Sequence, residues 1–263
     1  MEVLLFVLML ILGLIGSFFS GLLGIGGAII NYPLLLFVPD WLGVAHFTAQ
    51  EVSSISMFQV FFASLSGVLA FRKRNGKGSP LIHKGLVKDM GISILFGSLI
   101  GAFVSRYLSG ESINFVYGIL AVVAVILMLI KNKGSEEAAQ EISYNRGIAI
   151  PSAFVVGIVS GIVGAGGAFV LIPIMLTVLK IPTRVTIASS LAIVFISAIG
   201  GVLGKLTTGH IPVWPVLFTV IGSVIGAPLG SRVNAKININ LLRYGLLILI
   251  AATAIKIWSE ILL

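Results

Sequence analysis

Ser20, Gly24, Gly26 and Gly27 stand in the run SGLLGIGGAIINYP, residues 20–33. Ser160, Gly164, Gly166 and Gly167 hold the same places in SGIVGAGGAFVLIP, residues 160–173. Both runs interrupt strongly apolar sequence. Each glycine costs a helix about 1 kcal/mol relative to alanine, so the spacing predicts a break. A helix restarting at Ala28 or Ala168 would present unpaired N–H groups and a partial positive charge, a natural seat for an oxyanion. The serine hydroxyls add donors. Two such ends, related by the repeat, predict one shared site for a small anion. The competing reading is close helix packing, which small residues also permit in membranes. A nucleotide loop is excluded, because no Lys-Ser/Thr pair follows the glycines.

A second matched set follows each break. Ser53 and Ser54 in VSS pair with Ser189 and Ser190 in ASS. At a helix start they can line a pocket or bond helix to helix. Glu51 lies among them and has capping-box spacing from Thr48. It is also the one good candidate for a proton-coupling carboxylate, since an ionisable group beside an apolar core is a functional candidate by default. Ile187 stands at the equivalent place in the second copy. Gln59 shares a face with Ser53. Asn31 and Tyr32 have Leu171 and Ile172 as counterparts, so they bear on specificity at most. His46, His83 and His210 have no metal-ligand spacing, and no metal or cofactor is expected. The chain has no cysteine, so thiol chemistry is excluded. Arg72, Lys73 and Arg74 read as an anchor, and Lys205 as an outer-face residue that guides an anion or snorkels.

The elements that must position these residues are membrane helices. The chain is 58% hydrophobic and 10% charged, against about 25% charged in soluble domains. Its apolar blocks cover residues 2–38, 44–71, 86–105, 112–130, 147–179, 185–204, 211–230 and 237–258. Most have the length of one crossing, about 20 residues. The first and fifth are too long, and each carries a glycine break followed by Pro33 or Pro173, which can kink or punctuate the second piece. If each long block is a hairpin, only Arg106, Lys205 and Lys256 of the 17 Lys and Arg residues face outside. That distribution favours hairpins over single crossings. The first residues lack a basic segment and carry Glu2, so they read as a mature membrane segment. The net charge of +8 sits in short loops, which argues for a bilayer and against nucleic acid as partner.

The likeness of the halves continues through GSLIGAFVS and GSVIGAPLG, then YGIL and YGLL. The expected organisation is an N-terminal transmembrane repeat, 1–130, a cytoplasmic linker, 131–146, and a C-terminal repeat, 147–263. Each repeat is a broken-helix hairpin plus three transmembrane helices. The parity of crossings turns the second repeat upside down, the inverted plan of many secondary transporters.

With GLLGIGGAIINYPLL, GIVGAGGAFVLIPIM, the Ser-Ser helix starts, GSLIGA with GSVIGA, and LLRYGLLIL, nearly the whole chain resembles the sulfite exporter TauE/SafE family. The resemblance implies a cytoplasmic-membrane transporter of sulfite or organosulfonates, with export the usual direction. The expectation is therefore an all-α polytopic secondary transporter, not an enzyme. It would hold a small anion at broken-helix N-termini by alternating access, with protons as a candidate coupling ion. A homo-oligomer is compatible with the sequence. The alternatives are a transporter or channel for another solute or a cation, and, more remotely, a membrane scaffold or intramembrane enzyme.

Overall fold

In the computed structural model, the described residues are 2–23, 28–74, 82–129, 144–207, 209–234 and scattered positions between 244 and 259. Among them the chain is helical and contains no strand. The helices are α1 (Glu2–Leu23), α2 (Ala28–Trp41), α3 (Ala49–Arg74), α4 (Lys84–Val104), α5 (Gly110–Leu129), α6 (Arg146–Val163), α7 (Ala168–Pro173), α8 (Thr183–Lys205) and α9 (Val213–Asn234). A short 3-10 turn, Ser105–Tyr107, follows α4, and a π-helical stretch, Ile174–Val178, follows α7. Among the described residues, six helices are long and apolar enough to cross a membrane: α1, α3, α4, α6, α8 and α9. α5 is a shorter apolar helix. Much of the last apolar block, and most of the linker, lies outside the described residues.

Local sequence explains where the helices begin. The Thr48 N–H and hydroxyl both donate to Glu51 Oε2 at 2.9 Å, and the Glu51 N–H donates back to Thr48 Oγ1 at 3.3 Å. This is a complete capping box at the head of α3. His83 Nδ1 accepts from the Leu86 N–H and starts α4, while Asn145 Oδ1 accepts from the Gly147 N–H and starts α6. Pro33 does not end α2, which runs on through Pro39. After Pro173 the helix widens from α to π, a local adjustment typical of proline in membrane helices.

The polarity of the bundle is reversed relative to a soluble protein. Ser17, Ser53, Ser64, Ser98, Ser160 and Ser223 are fully buried, whereas Ile11, Phe96, Val155 and Leu217 face outward. Apolar side chains directed outward along most of these helices suit lipid. Inside, helices meet along small residues. A methyl at Gly97 or Gly101 of α4 would overlap backbone of α6, and one at Gly222, Gly226 or Gly230 of α9 would overlap backbone of α1. Such contact draws axes together where no hydrophobic force separates helix from lipid.

Direction follows from which residues touch. In the α1–α9 pair, Gly222 meets Leu10, Gly226 meets Leu14 and Gly230 meets Phe18, so the helices run parallel. In the α4–α6 pair, Gly97 meets Phe154 and Gly101 meets Ile158, again parallel. α4 also runs parallel to α8, with Gly91 at Ile196 and Gly204 at Ala102. α3 and α8 run antiparallel, because Gly201 meets Met57, Phe195 meets Phe61 and Leu191 meets Gly67. Exchanging the first half for the second maps α1–α9 onto α6–α4 and α3–α9 onto α8–α4, all of them packed pairs.

Candidate functional site

The second glycine run makes the break that its composition predicts. α6 ends at Gly164, whose φ of 80° is left-handed, and the Gly164 and Ala165 N–H groups both donate to the Ser160 carbonyl at 2.9 Å. Gly166 and Gly167 are also left-handed, at φ 63° and 80°, a region that side chains with a Cβ rarely enter. The chain then doubles back on α6: Gly167 lies against Val156 and the Ser160 hydroxyl. There is no room for larger residues. A Cβ at Gly164 would overlap the Ser53 carbonyl, and one at Gly166 would press on Val60 and Val194.

α7 starts directly after the turn. The Val170 and Leu171 N–H groups close its first bonds on the Gly167 carbonyl, at 3.2 and 2.9 Å. The N–H groups ahead of them therefore have no partner within the helix. The turn is wholly buried between α3 and α8. Gly24, Gly26 and Gly27 of the first copy lie outside the described residues. Ser20, one turn before them, is fully buried and its hydroxyl has no hydrogen-bond partner.

Of the paired serines, Ser53 is brought to the second break, and most of the set are engaged. The Ser53 hydroxyl donates to the Ile162 carbonyl at 3.0 Å, binding α3 to the end of α6. Ser54 donates to Gln50 O, Ser160 to Gly157 O and Ser190 to Ile187 O, each within its own helix. Ser189 accepts from the His83 N–H at 3.0 Å. All five are buried. The oxygens of Ser53, Ser54 and Ser160 keep acceptor capacity while their protons are used, and the Ser189 oxygen is an acceptor already. Glu51 is placed by its capping box at the start of α3, and its carboxylate is held by Thr48.

Lys205 does not snorkel into solvent. It is 1% exposed, and its ammonium donates to Ser105 Oγ at 2.7 Å and to the Ile162 carbonyl at 3.3 Å. The reason is electrostatic: carbonyls left without partners at the end of α6 form the negative pole of that helix, which attracts a cation. A lysine at the end of an apolar block gives no sign in sequence of whether it snorkels outward or turns in. Asn31 and Gln59, two carboxamides inside apolar blocks, are buried beside Gly16.

Among the described residues, no cluster of three or more His, Cys, Asp or Glu side chains could hold a metal. A surface groove of about 460 Å³ lies between α4 and α6, lined by Lys88, Asp89, Ser93, Phe96 and Phe154. It shares no residue with the break, and its walls are those of a lipid-facing crevice. At its rim, Asp89 pairs with Arg146 at 2.9 Å and accepts from the Tyr144 hydroxyl at 2.8 Å.

The model of the family described as "Sulfite exporter TauE/SafE" matches residues 9–257. The chain belongs to this family. It is thus a multi-pass membrane transporter protein of the TauE/SafE type. Curated relatives agree. A "Probable membrane transporter protein" of Bacillus subtilis (strain 168) is 28% identical over 223 residues, 78% of this chain and 80% of the relative. One from Methanocaldococcus jannaschii is 27% identical over 200 residues, 76% and 72% of the two chains. One from Xylella fastidiosa (strain 9a5c) is 28% identical over 199 residues, 74% and 69%. No solved structure matches the chain.

Proposed function

We propose that this TauE/SafE transporter exports a small sulfur oxyanion, sulfite or an organosulfonate, across the cytoplasmic membrane. The observation that carries the reading is the buried left-handed turn Gly164–Gly167 at the head of α7. It leaves N–H donors unused by the helix, between α3 and α8, where an anion can be held without a protein cation. The first copy repeats the glycine pattern in sequence at Gly24, Gly26 and Gly27, and Ser20, four residues earlier, is buried with its hydroxyl unpartnered. Ser53, Ser54, Ser160, Ser189 and Ser190 complete the walls. The sulfur preference rests on the family description.

The halves act as inverted repeats, and alternating access comes from one part rocking against the other. Support comes from the antiparallel run of α3 and α8, which hold equivalent places in the two repeats. An inside-negative potential favours anion exit. Glu51 is the candidate coupling carboxylate: a proton there would weaken the bonds that hold Thr48 at the start of α3.

The test is flux in proteoliposomes loaded with sulfite, sulfate, thiosulfate or a sulfonate, with and without a pH gradient. Saturable sulfite or sulfonate flux is expected. Absence of anion-dependent flux under every condition removes the anion reading. Full gradient-driven flux in Glu51→Gln removes Glu51 from coupling.

A further inference from the structure

Gly16 leaves a notch on α1 that the Asn31 carboxamide of α2 fills, and Gln59 Nε2 of α3 borders the same notch. Asn31 is 1% exposed and Gln59 fully buried. Gln59 Nε2 donates to the Gly13 carbonyl at 3.2 Å and to Ser17 Oγ at 3.4 Å. A carbonyl can only accept, so the amide nitrogen must face Gly13, and Gln59 Oε1 is left as an acceptor. That oxygen has no partner, and neither does Asn31 Oδ1 or Asn31 Nδ2. The hydroxyls of Ser20, one turn along α1, and Ser56, one turn before Gln59 on α3, are unpartnered too.

Buried polar groups are nearly always paired, and each unpaired one costs about 1–3 kcal/mol. The fold does not require them here. In the register of the repeat, Asn31 corresponds to Leu171, Ser56 to Ala192 and Gln59 to Phe195, all apolar. The second half thus builds the same elements without this polar set. Among the described residues, the second half leaves one buried side-chain atom unpaired, Ser197 Oγ on α8, against five from three helices of the first half, and that concentration marks a site for a ligand and not a packing device.

We propose that the Asn31 and Gln59 carboxamides beside Gly16 form the specificity end of the transport site, and that it takes a singly charged oxyanion carrying its own O–H. The inference rests on the anion reading above and narrows its substrate class. Asn31 Nδ2 and the Ser20 and Ser56 hydroxyls donate to the oxyanion. Gln59 Oε1 accepts the ligand's O–H, which an anion without a donor cannot offer. The charge limit follows from desolvation. Among the described residues, the one charged side chain that is buried is Lys205, bonded to Ser105 and Ile162. The carboxamide end is neutral, and Born cost rises with the square of the charge, so a dianion is disfavoured.

The test measures binding and flux of 2-hydroxyethanesulfonate and ethanesulfonate, a pair differing in one hydroxyl, with the purified full chain in detergent and in proteoliposomes. Wild type should prefer the hydroxylated anion by about tenfold or more, because a site built to bond a hydroxyl rejects the analogue lacking it. Asn31→Leu should weaken binding of both anions by about tenfold. Gln59→Met should abolish the preference. Both should keep the wild-type elution profile and melt no lower than wild type. Should either fail to fold, Asn31→Ser and Gln59→Leu take their places with the same expected losses. Wild-type anion flux with no preference between the pair, or variants with unchanged affinity, overturns this proposal and leaves the anion reading standing. No anion binding or flux in wild type overturns both.

Discussion

Ser53 and Lys205 meet at one atom. The Ser53 hydroxyl and the Lys205 ammonium both donate to the carbonyl oxygen of Ile162, at 3.0 and 3.3 Å. Ile162 is the penultimate residue of α6, two before the left-handed turn at Gly164. Helices α3 and α8, which run in opposite directions, are thereby tied to the same helix end beside the break. Ser105 holds the ammonium from the other side, and its own hydroxyl donates to Ala102 O at 2.7 Å. Any motion of the α6–α7 turn relative to α3 or α8 must stretch these bonds.

This arrangement predicts an inversion of the usual ranking of mutations. Ser105→Ala leaves a buried ammonium with one bond fewer and should cost about 2–3 kcal/mol, lowering the melting temperature. Lys205→Met removes the charge along with its desolvation cost and should change stability by less than about 1 kcal/mol. It should nonetheless alter the flux rate, because the tie between α8 and the break is gone. Thermal melts in detergent beside proteoliposome flux read both effects. A Lys205→Met protein less stable than Ser105→Ala contradicts the account.

The packing seams predict a second ranking. A methyl at Gly226 would overlap the Leu14 carbonyl of α1, and one at Gly101 the Ile158 carbonyl of α6. These contacts are with backbone, which cannot rotate aside, so Gly226→Ala and Gly101→Ala should each cost about 1–3 kcal/mol. At Gly245 the same methyl meets nothing within 4 Å. Gly245→Ala should be neutral or raise stability slightly, by helix propensity. Three melting curves decide this.

How legible all this was differs by element. The break after Gly164 could be read because three glycines within four residues admit few other conformations, and the structure places left-handed backbone at each. The capping box of Thr48 and Glu51 was equally open, since it depends on local spacing alone. Lys205 was not legible: whether an amine at a helix end turns outward or inward depends on what a distant helix offers, here the Ile162 carbonyl 43 positions away in sequence. Asn31 and Gln59 were visible as polar residues in apolar blocks. Their meeting at Gly16 is a tertiary event, and the repeat, which supported the serines, gave Asn31 no matching polar counterpart.

Tyr144 supplies a prediction on pH. Its hydroxyl pKa is raised, first by burial and then by the bond it donates to Asp89. A raised pKa in the folded state means the protonated phenol is favoured there. Its contribution is fully present below the unfolded value of about 10 and is lost as pH rises through the folded value. Tyr144→Phe should therefore lower stability slightly at neutral pH and flatten the loss of stability at alkaline pH. Melting temperatures from neutral to strongly alkaline pH, wild type against variant, show whether the curves converge at the top of the range. Parallel curves refute the assignment.

The hairpin topology predicts sidedness at two exposed positions. Lys180 follows the π-helical stretch, and His210 lies in the connection between α8 and α9. α8 is long enough to cross the membrane once, so the two positions must lie on opposite faces. If α6 and the following segment enter and return, Lys180 lies inside with the basic loops and His210 outside. The chain contains no cysteine, so Lys180→Cys and His210→Cys each introduce a single label site without further engineering. In intact cells an impermeant maleimide should label Cys at 210 and leave Cys at 180 untouched until the membrane is opened. Labelling of 180 from outside with protection of 210 means that α6 and its continuation cross the membrane once, and it would place the left-handed turn in a through-going helix with a defect, not at a hairpin tip.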